Sequence, residues 1–460
     1  SAASDVYKRQ GHSHESINLP VRVISPSPVK DLICKAPALE AAGGSFTKRP
    51  DLSGLTVILP AYNLSSQNIY PLEVQAADGK GNISKVATTH ITVLPNGNSD
   101  KVTGTFSPQC QTIFLKDNKG RPAVFSLALT NANGSAVKVD VDKLKVRVKE
   151  TPSGRTAAVV DGFKVADNGQ YELDVHPGAK EEHLVLTPYF SDEHIANLLQ
   201  AEAAQLSIVS GSDDDDFDKD KKVKVTFTSD SQNGKIKADG KASVSLFLTL
   251  KRDDIALTGE SANLSFDVKL DGKDVAKDQI KISDLVEDPL GSGRYVAHLT
   301  TIRTGKITLV PRFKKSVFTE DQLSLDAYLG KGDFVPDVEN STLVLAPNKQ
   351  QIFGDGKTII HLSYALRDKN GNLCTERLDA SDVAIKEIVT KSPNGHDNSP
   401  EAAAEGEGKV LPLDFANGVY TYSAAYKIKD AGRHIFVPYL KSQALDKKKC
   451  SLDVRGLDDK

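Results

Sequence analysis

NGQYELDVHPGAKEEHLVLTPYF, residues 168–190, sets how the chain divides, because it recurs twice: SGRYVAHLTTIRTGKITLVPRF at 292–313 and NGVYTYSAAYKIKDAGRHIFVPYL at 417–440. Each copy has Gly, one residue, Tyr, an alternating run, a turn, and a second alternating run ending in Pro and an aromatic or basic residue. The anchors Tyr171, Tyr295 and Tyr420 lie 124 and 125 positions apart, and Pro188, Pro311 and Pro438 keep steps of 123 and 127. A repeat of this length with alternation inside it predicts tandem domains, each closed by the same motif, instead of one large core. The two runs of each copy read as the final hairpin of a module. The tyrosine after the glycine reads as a half-buried strand aromatic, with a tyrosine-corner hydrogen bond as the alternative.

Working outward, each unit of roughly 110 residues holds about seven short alternating strands with turn residues every 8–12 positions, which predicts β-sandwiches. Alternation fixes one buried face per strand. Of the two faces of AVFSLALT, Phe125, Leu127 and Leu129 form the apolar one. The same rule buries Leu246, Leu248 and Leu250, and then Ile360, Leu362, Tyr364 and Leu366. The fold class is therefore all-β, with modules expected at 12–96, 101–210, 222–327 and 341–455. PNGNSD (95–100), GSDDDDFDKDK (211–221) and LGKGDFVPDVEN (329–340) read as linkers. In the first unit YPLEVQAADGKGNISKVATTHITVL (70–94) is a hairpin, with DGKGN supplying the turn. From Pro188 to Leu206 is 18 positions, against 12 from Pro311 to Leu323 and from Pro438 to Cys450. The difference, within DEHIANLLQAEAAQ, is expected to form a short surface helix at 192–204. Residues 392–408 are a longer polar insertion. Residues 1–11 carry no apolar segment of a leader and are expected to be artefactual or disordered. The chain starts without Met, and its tail begins another acidic stretch, so further units are expected beyond it.

Composition narrows the function. The 460 residues carry 58 Lys+Arg against 61 Asp+Glu, a net charge of −3. That balance offers no general field for nucleic acid or anionic lipid. No window approaches the roughly 20 apolar residues of a spanning helix. HExxH, GxSxG and P-loop patterns are absent, and the ten histidines are dispersed, so an enzyme is not expected. His12 and His14 read as part of a solvated end. The candidate ion site is the acidic run, with Asp213, Asp214, Asp216 and Asp218 as possible Ca²⁺ ligands at a domain junction. The competing reading is a solvated, self-repelling linker, since Lys219, Lys221 and Lys222 interrupt and follow it and no EF-hand glycine or distal Glu is present. No other cofactor is expected. Four cysteines without CxxC spacing allow Cys374–Cys450 within the last unit and Cys34–Cys110 across a boundary, or four free thiols.

LSGLTVILPAYN and IYPLEVQAADGKGNISKVATTHITVLPNG resemble the small Ig-like domain that follows the outer-membrane barrel in intimin/invasin-type inverse autotransporters. ADGKASVSLFLTLKRD and GDGKTIIHLSYALRDKNGN, each ahead of the GxY motif, are similar to the bacterial Ig-like repeats of the same passengers. The resemblance covers about residues 12–455 and implies an extended rod of Ig-like β-sandwiches from a bacterial surface adhesin. It implies a place on the extracellular side of the outer membrane, held there through an upstream barrel. The implied partner is a host-cell or bacterial surface protein or glycan, with residues 392–408 and 192–204 as the first places to seek its contacts. An inert stalk and the accessory modules of a secreted polysaccharide-active enzyme are the alternatives.

Overall fold

The computed structural model describes residues 9–346, 351–374, 376–390, 408–415 and 422–456. Among the described residues eight sheets pair face to face into four successive sandwiches. The helices among the described residues, such as Pro37–Ala41, Leu115–Asn118 and Phe217–Asp220, are single turns, and none is long and apolar enough to cross a membrane.

In the first sandwich a sheet of Arg9–His12, Ala87–Leu94, Ile69–Asp78 and Val29–Lys35 faces one of Ser16–Pro20, Gly54–Ile58 and Ser45–Lys48. Leu32, Leu55, Val57, Leu72, Ile91 and Val93 fill the space between. The 69–94 hairpin forms as its alternation predicts: Tyr70 pairs with Ile91 and Leu72 with Thr89. Asp78 Oδ1 accepts from Lys80 N and Asn82 N at 2.9 Å each, while Gly81 takes a positive φ of 82°. One expectation needs correcting. Residues 9–11, read as artefactual or disordered, lie in a strand that pairs parallel with the last strand, Arg9 with Ile91 through His12 with Leu94. Pairing needs only backbone groups, so the polar sequence RQGH is no bar to it.

The second, third and fourth sandwiches share one wiring. In the second, Val102–Ser107, Ala123–Thr130 and Tyr171–His176 form one sheet, and Leu144–Thr151, Glu182–Phe190, Ala204–Val209 and Cys110–Phe114 the other. The closing pair is parallel, Gln205 opposite Cys110, and it recurs as Lys235 opposite Asp326 and Gln351 opposite Asp453. The apolar faces chosen by alternation are the buried ones: Phe125, Leu127, Leu246, Leu248, Leu250, Ile360, Leu362, Tyr364 and Leu366 are each 0% exposed. This order of strands, with its mixed closure, is the Ig-like arrangement.

The repeated GxY motif is not a hairpin. Tyr171–His176 pairs with Ala123–Thr130, whereas Glu182–Phe190 belongs to the opposite sheet, between Leu144–Thr151 and Ala204–Val209. The turn between the two runs therefore arches from one sheet to the other, and the motif spans the core. The same holds for Arg294–Thr301 with Gly305–Phe313 and for Tyr422–Lys427 with Gly432–Leu440. A period of two tells which side chains turn inward, and it is identical for a hairpin and an arch.

The tyrosines are buried and hydrogen-bonded. Tyr171 Oη accepts from Val139 N at 2.8 Å and donates to Val139 O at 3.0 Å. Tyr295 Oη accepts from Glu260 N at 3.1 Å and donates to Leu257 O. Each hydroxyl pins the loop that leads to the facing sheet, so the corner-like alternative holds and the half-buried reading does not. In the fourth sandwich Tyr422 takes this place, accepting from Leu378 N at 2.7 Å, and Tyr420 lies outside the described residues. The step from Tyr295 to Tyr422, 127 positions, equals that between Pro311 and Pro438.

The helix expected at 192–204 is absent. Ile195 N donates to Asp192 O and Leu198 N to Ile195 O, two tight turns. Leu199–Ala201 then pairs parallel with Val102–Gly104. The open edge of the strand Val102–Ser107 offers unpaired backbone groups that an isolated 13-residue helix could not match.

Candidate functional site: the joints between sandwiches

The acidic run at 211–221 is where sequence and structure differ most. Phe217, within DDDDFDKD, is 1% exposed. Its ring lies between Phe114 at the end of the second sandwich, 5.6 Å between centroids, and Phe313 of the third, 5.1 Å. Its backbone N–H donates to Ser316 Oγ at 3.0 Å. The run is thus tied into a core shared by two sandwiches, which also holds Val209, Val223 and Leu257.

The carboxylates flanking Phe217 spread outward to separate cations. Asp213 pairs with Lys314, Asp214 with Lys315 at 3.0 Å, and Asp216 with Lys219 at 3.4 Å, while Asp218 makes none of these pairs. Lys314 Nζ also sits 4.6 Å from the centre of the Phe114 ring. Asp220 reaches Arg252 at 3.0 Å, and that guanidinium, only 4% exposed, faces Glu181 at 3.4 Å as well. Burial works against the Glu181 carboxylate, but two hydrogen bonds from Ser210 and the Arg252 charge outweigh it and hold its pKa below the usual range. The expected Ca²⁺ site at Asp213, Asp214, Asp216 and Asp218 does not assemble. Among the described residues no three His, Cys, Asp or Glu side chains converge as metal ligands. Lysines and an arginine of the chain itself neutralise the run, and the self-repelling linker is overturned with it.

A polar seam continues this joint. Thr112 Oγ1 donates to Thr258 O at 2.7 Å, Gln205 Nε2 to Leu290 O at 3.0 Å, and Ser207 Oγ to Ala256 O. His183, 8% exposed, bridges Ser207 Oγ at 2.8 Å and Gln205 Oε1 at 2.7 Å. Burial pushes the His183 imidazole below its ordinary value, and the Gln205 contact and the Glu287 charge restore only part of that. Glu287 accepts from Thr258 Oγ1, Gly259 N and Gly293 N at 2.9–3.0 Å, fixing both loops of the third sandwich that face the seam. Gly259 has φ +72°, and a Cβ there would stand 2.2 Å from Cys110 O. Only glycine allows that approach.

The other joints are smaller. Between the first and second sandwiches Ser13 Oγ donates to Asp100 Oδ1 at 3.1 Å and accepts from Tyr62 N at 3.2 Å. Asp100 Oδ2 closes the linker by accepting from Asn96 N at 2.7 Å. Leu64 and Tyr62 pack with the second core, which includes Ile195 and Leu198 from the region expected to be a helix. Between the third and fourth, Asn372 is 2% exposed, accepts from Thr304 N at 2.8 Å and donates to Ile302 O at 2.7 Å.

Neither proposed disulfide is present, and all four thiols are free. Cys374 Sγ donates to Glu376 O at 2.8 Å and Cys450 Sγ to Leu343 O at 3.2 Å. Cys34 sits on a strand of the first sandwich and Cys110 on the edge strand facing the third. The 392–408 insertion lies outside the described residues, apart from Gly408. A hollow of about 290 Å³ lies beside Val338, Glu339, Leu445 and Lys448.

Four consecutive Ig-like sandwiches in one chain define a tandem modular protein. Residues 7–93 match the family model described as the intimin first Ig-like domain. That match spans the first sandwich, and the resemblance to an intimin/invasin-type passenger region is borne out. No curated protein matches the chain. Among solved structures the chain is similar to the Escherichia coli adhesin FdeC, at 19% identity over 77% of this chain and 97% of that one, with a TM-score of 0.24. Invasin, described as a bacterial integrin-binding protein, is 15% identical over 77% of this chain and 60% of its own, with a TM-score of 0.27. The D00–D0 domain of intimin is 20% identical over 44% and 96%, with a TM-score of 0.26.

Proposed function

We propose that this chain is a passenger segment of a bacterial surface adhesin, a rod of Ig-like modules that projects from the extracellular side of the outer membrane and contributes to attachment. The modules are 12–96, 101–210, 222–327 and 341–455, the first extended back to the strand at Arg9. The carrying observation is the intimin-type first domain at 7–93 at the head of three sandwiches of one wiring. The proposed partner is a protein or glycan on a host or bacterial surface, and the chain itself performs no catalysis. Beads coated with the 460-residue chain test this. Saturable binding to host or bacterial cells, lost when the chain is added free in excess, is the expected result. The second reading is an inert spacer, favoured by how much of the chain's polar chemistry is spent inside its own joints. Absence of saturable binding, with the rod still lengthening the reach of a grafted tip, is its outcome.

A further inference from the structure

We infer that residues 211–221 are an intramolecular latch that locks the second and third sandwiches into one cooperative folding unit, so that residues 101–328 behave as a single body within the array. The inference rests on no part of the adhesin reading. Three separate arrangements support it. Phe217 is a plug, buried against one phenylalanine from each sandwich, and on this geometry neither sandwich can present its end without the other unless an aromatic surface is exposed to water. The carboxylates on either side of the plug fasten to both partners. Asp213 N donates to Asp117 Oδ2 of the second sandwich at 2.5 Å while the Asp213 carboxylate holds Lys314 of the third. Arg252 of the third reaches back between Glu181 of the second and Asp220 of the latch, and its burial makes that triad interdependent. Beyond the latch, the seam from Thr112, Gln205 and Ser207 gives three backbone carbonyls of the third sandwich their donors in the second. Separating the two would take those carbonyls from their donors and Arg252 from Glu181 at the same moment.

The corresponding linkers are different in kind. At 95–100 the turn is closed by Asp100 within its own loop, and at 329–340 Lys237 meets Asp333 at 3.0 Å on the surface. Neither linker contributes a fully buried aromatic residue between two cores; at the first joint Tyr62, from the first sandwich itself, packs partly buried against both. Independent folding is the default for adjacent domains joined by polar contacts, and the latch is what sets the 211–221 joint apart.

The chain contains no Trp, so a single introduced Trp reports on one sandwich. Tyr189→Trp reports on the second and Phe247→Trp on the third, each followed through urea unfolding in the full chain. The expected result is one shared midpoint, and Leu127→Ala, in the core of the second sandwich alone, moves both reporters together by about 1 M urea. With Phe217→Ala added, Leu127→Ala moves the Tyr189→Trp reporter and leaves the other in place. If Phe217→Ala prevents folding, Asp213→Asn with Asp220→Asn is the gentler variant, and the response of the third sandwich to Leu127→Ala then falls by half or more. Two midpoints in the unaltered latch, or full coupling retained in both latch variants, overturns the proposal.

Discussion

At the residue scale the tyrosines and two buried histidines carry the sharpest consequences. Removing the Tyr295 hydroxyl leaves Glu260 N and Leu257 O unpaired in a buried site. Tyr295→Phe is expected to destabilise the third sandwich by about 1–3 kcal/mol in urea unfolding, and a merely half-buried aromatic would show almost no effect. The histidines titrate in opposite senses. His183 is held neutral by burial, with a pKa below its ordinary value of about 6.5. The joint is at full strength above that value and weakens as pH falls from it toward the lower folded pKa, because the separated state takes up the proton first. His434 is 1% exposed; burial opposes its charge, but Glu387 Oε1 at 2.8 Å and Asp430 O at 2.8 Å prevail and raise its pKa. Its contribution to the fourth sandwich is complete below about 6.5 and is lost as pH rises through the higher folded value. A pH series of thermal melts with a reporter in each sandwich is expected to show the two regions moving in opposite directions, and His183→Gln should flatten the response of the second–third joint alone.

At the element scale, the strands and their buried faces were legible because alternation is a local property. Phe125, Leu127 and Leu129 could be chosen over Val124, Ser126 and Ala128 from polarity alone. What alternation does not encode is the partner strand, and so the GxY motif was read as a hairpin although its runs belong to opposite sheets. Ile195, Leu198 and Leu199 satisfy a helical spacing and two successive turns equally well, and only the neighbouring strand edge decides between them. Phe217 had a visible signal, one large apolar residue inside a run of carboxylates, but its phenylalanine partners lie roughly 100 positions away on either side. Beside each of the repeated prolines, equivalent positions exchange chemistry as pairs. Arg147 stacks on Tyr189 at 4.2 Å and Lys386 on Tyr439 at 4.4 Å, whereas Asp267 binds Arg312 at 2.7 Å in the third sandwich. The close approach at Gly259 gives a prediction of its own. Gly259→Ala meets Cys110 O and a positive φ together, and is expected to open the seam. Faster hydrogen exchange at 256–260 and 204–209, with the cores unchanged, would report it, and unaltered exchange there would count against the packing described.

At the scale of the whole molecule, charge is balanced locally as well as in sum. The acidic run is met by Lys314, Lys315, Lys219 and Arg252, and those cations compete with any divalent ion for the same oxygens. Adding millimolar Ca²⁺ or a chelator is expected to leave the melting temperature of the full chain unchanged, and a rise of several degrees on adding Ca²⁺ would contradict the pairing seen here.

The parallel closure of each sandwich bears on how the array responds to tension. The last strand runs parallel beside the first described strand in the first sandwich, Arg9–His12 with Ala87–Leu94, and beside the second main strand in the others, Cys110–Phe114 with Ala204–Val209, Lys235–Lys237 with Leu323–Tyr328, and Gln351–Phe353 with Cys450–Arg455. Pulling on the two ends of a module draws such strands past one another lengthwise, so all the hydrogen bonds between them bear load at once and none can be peeled away singly. Under tension the chain would then present four shear-loaded clasps in series, the middle two coupled through the latch.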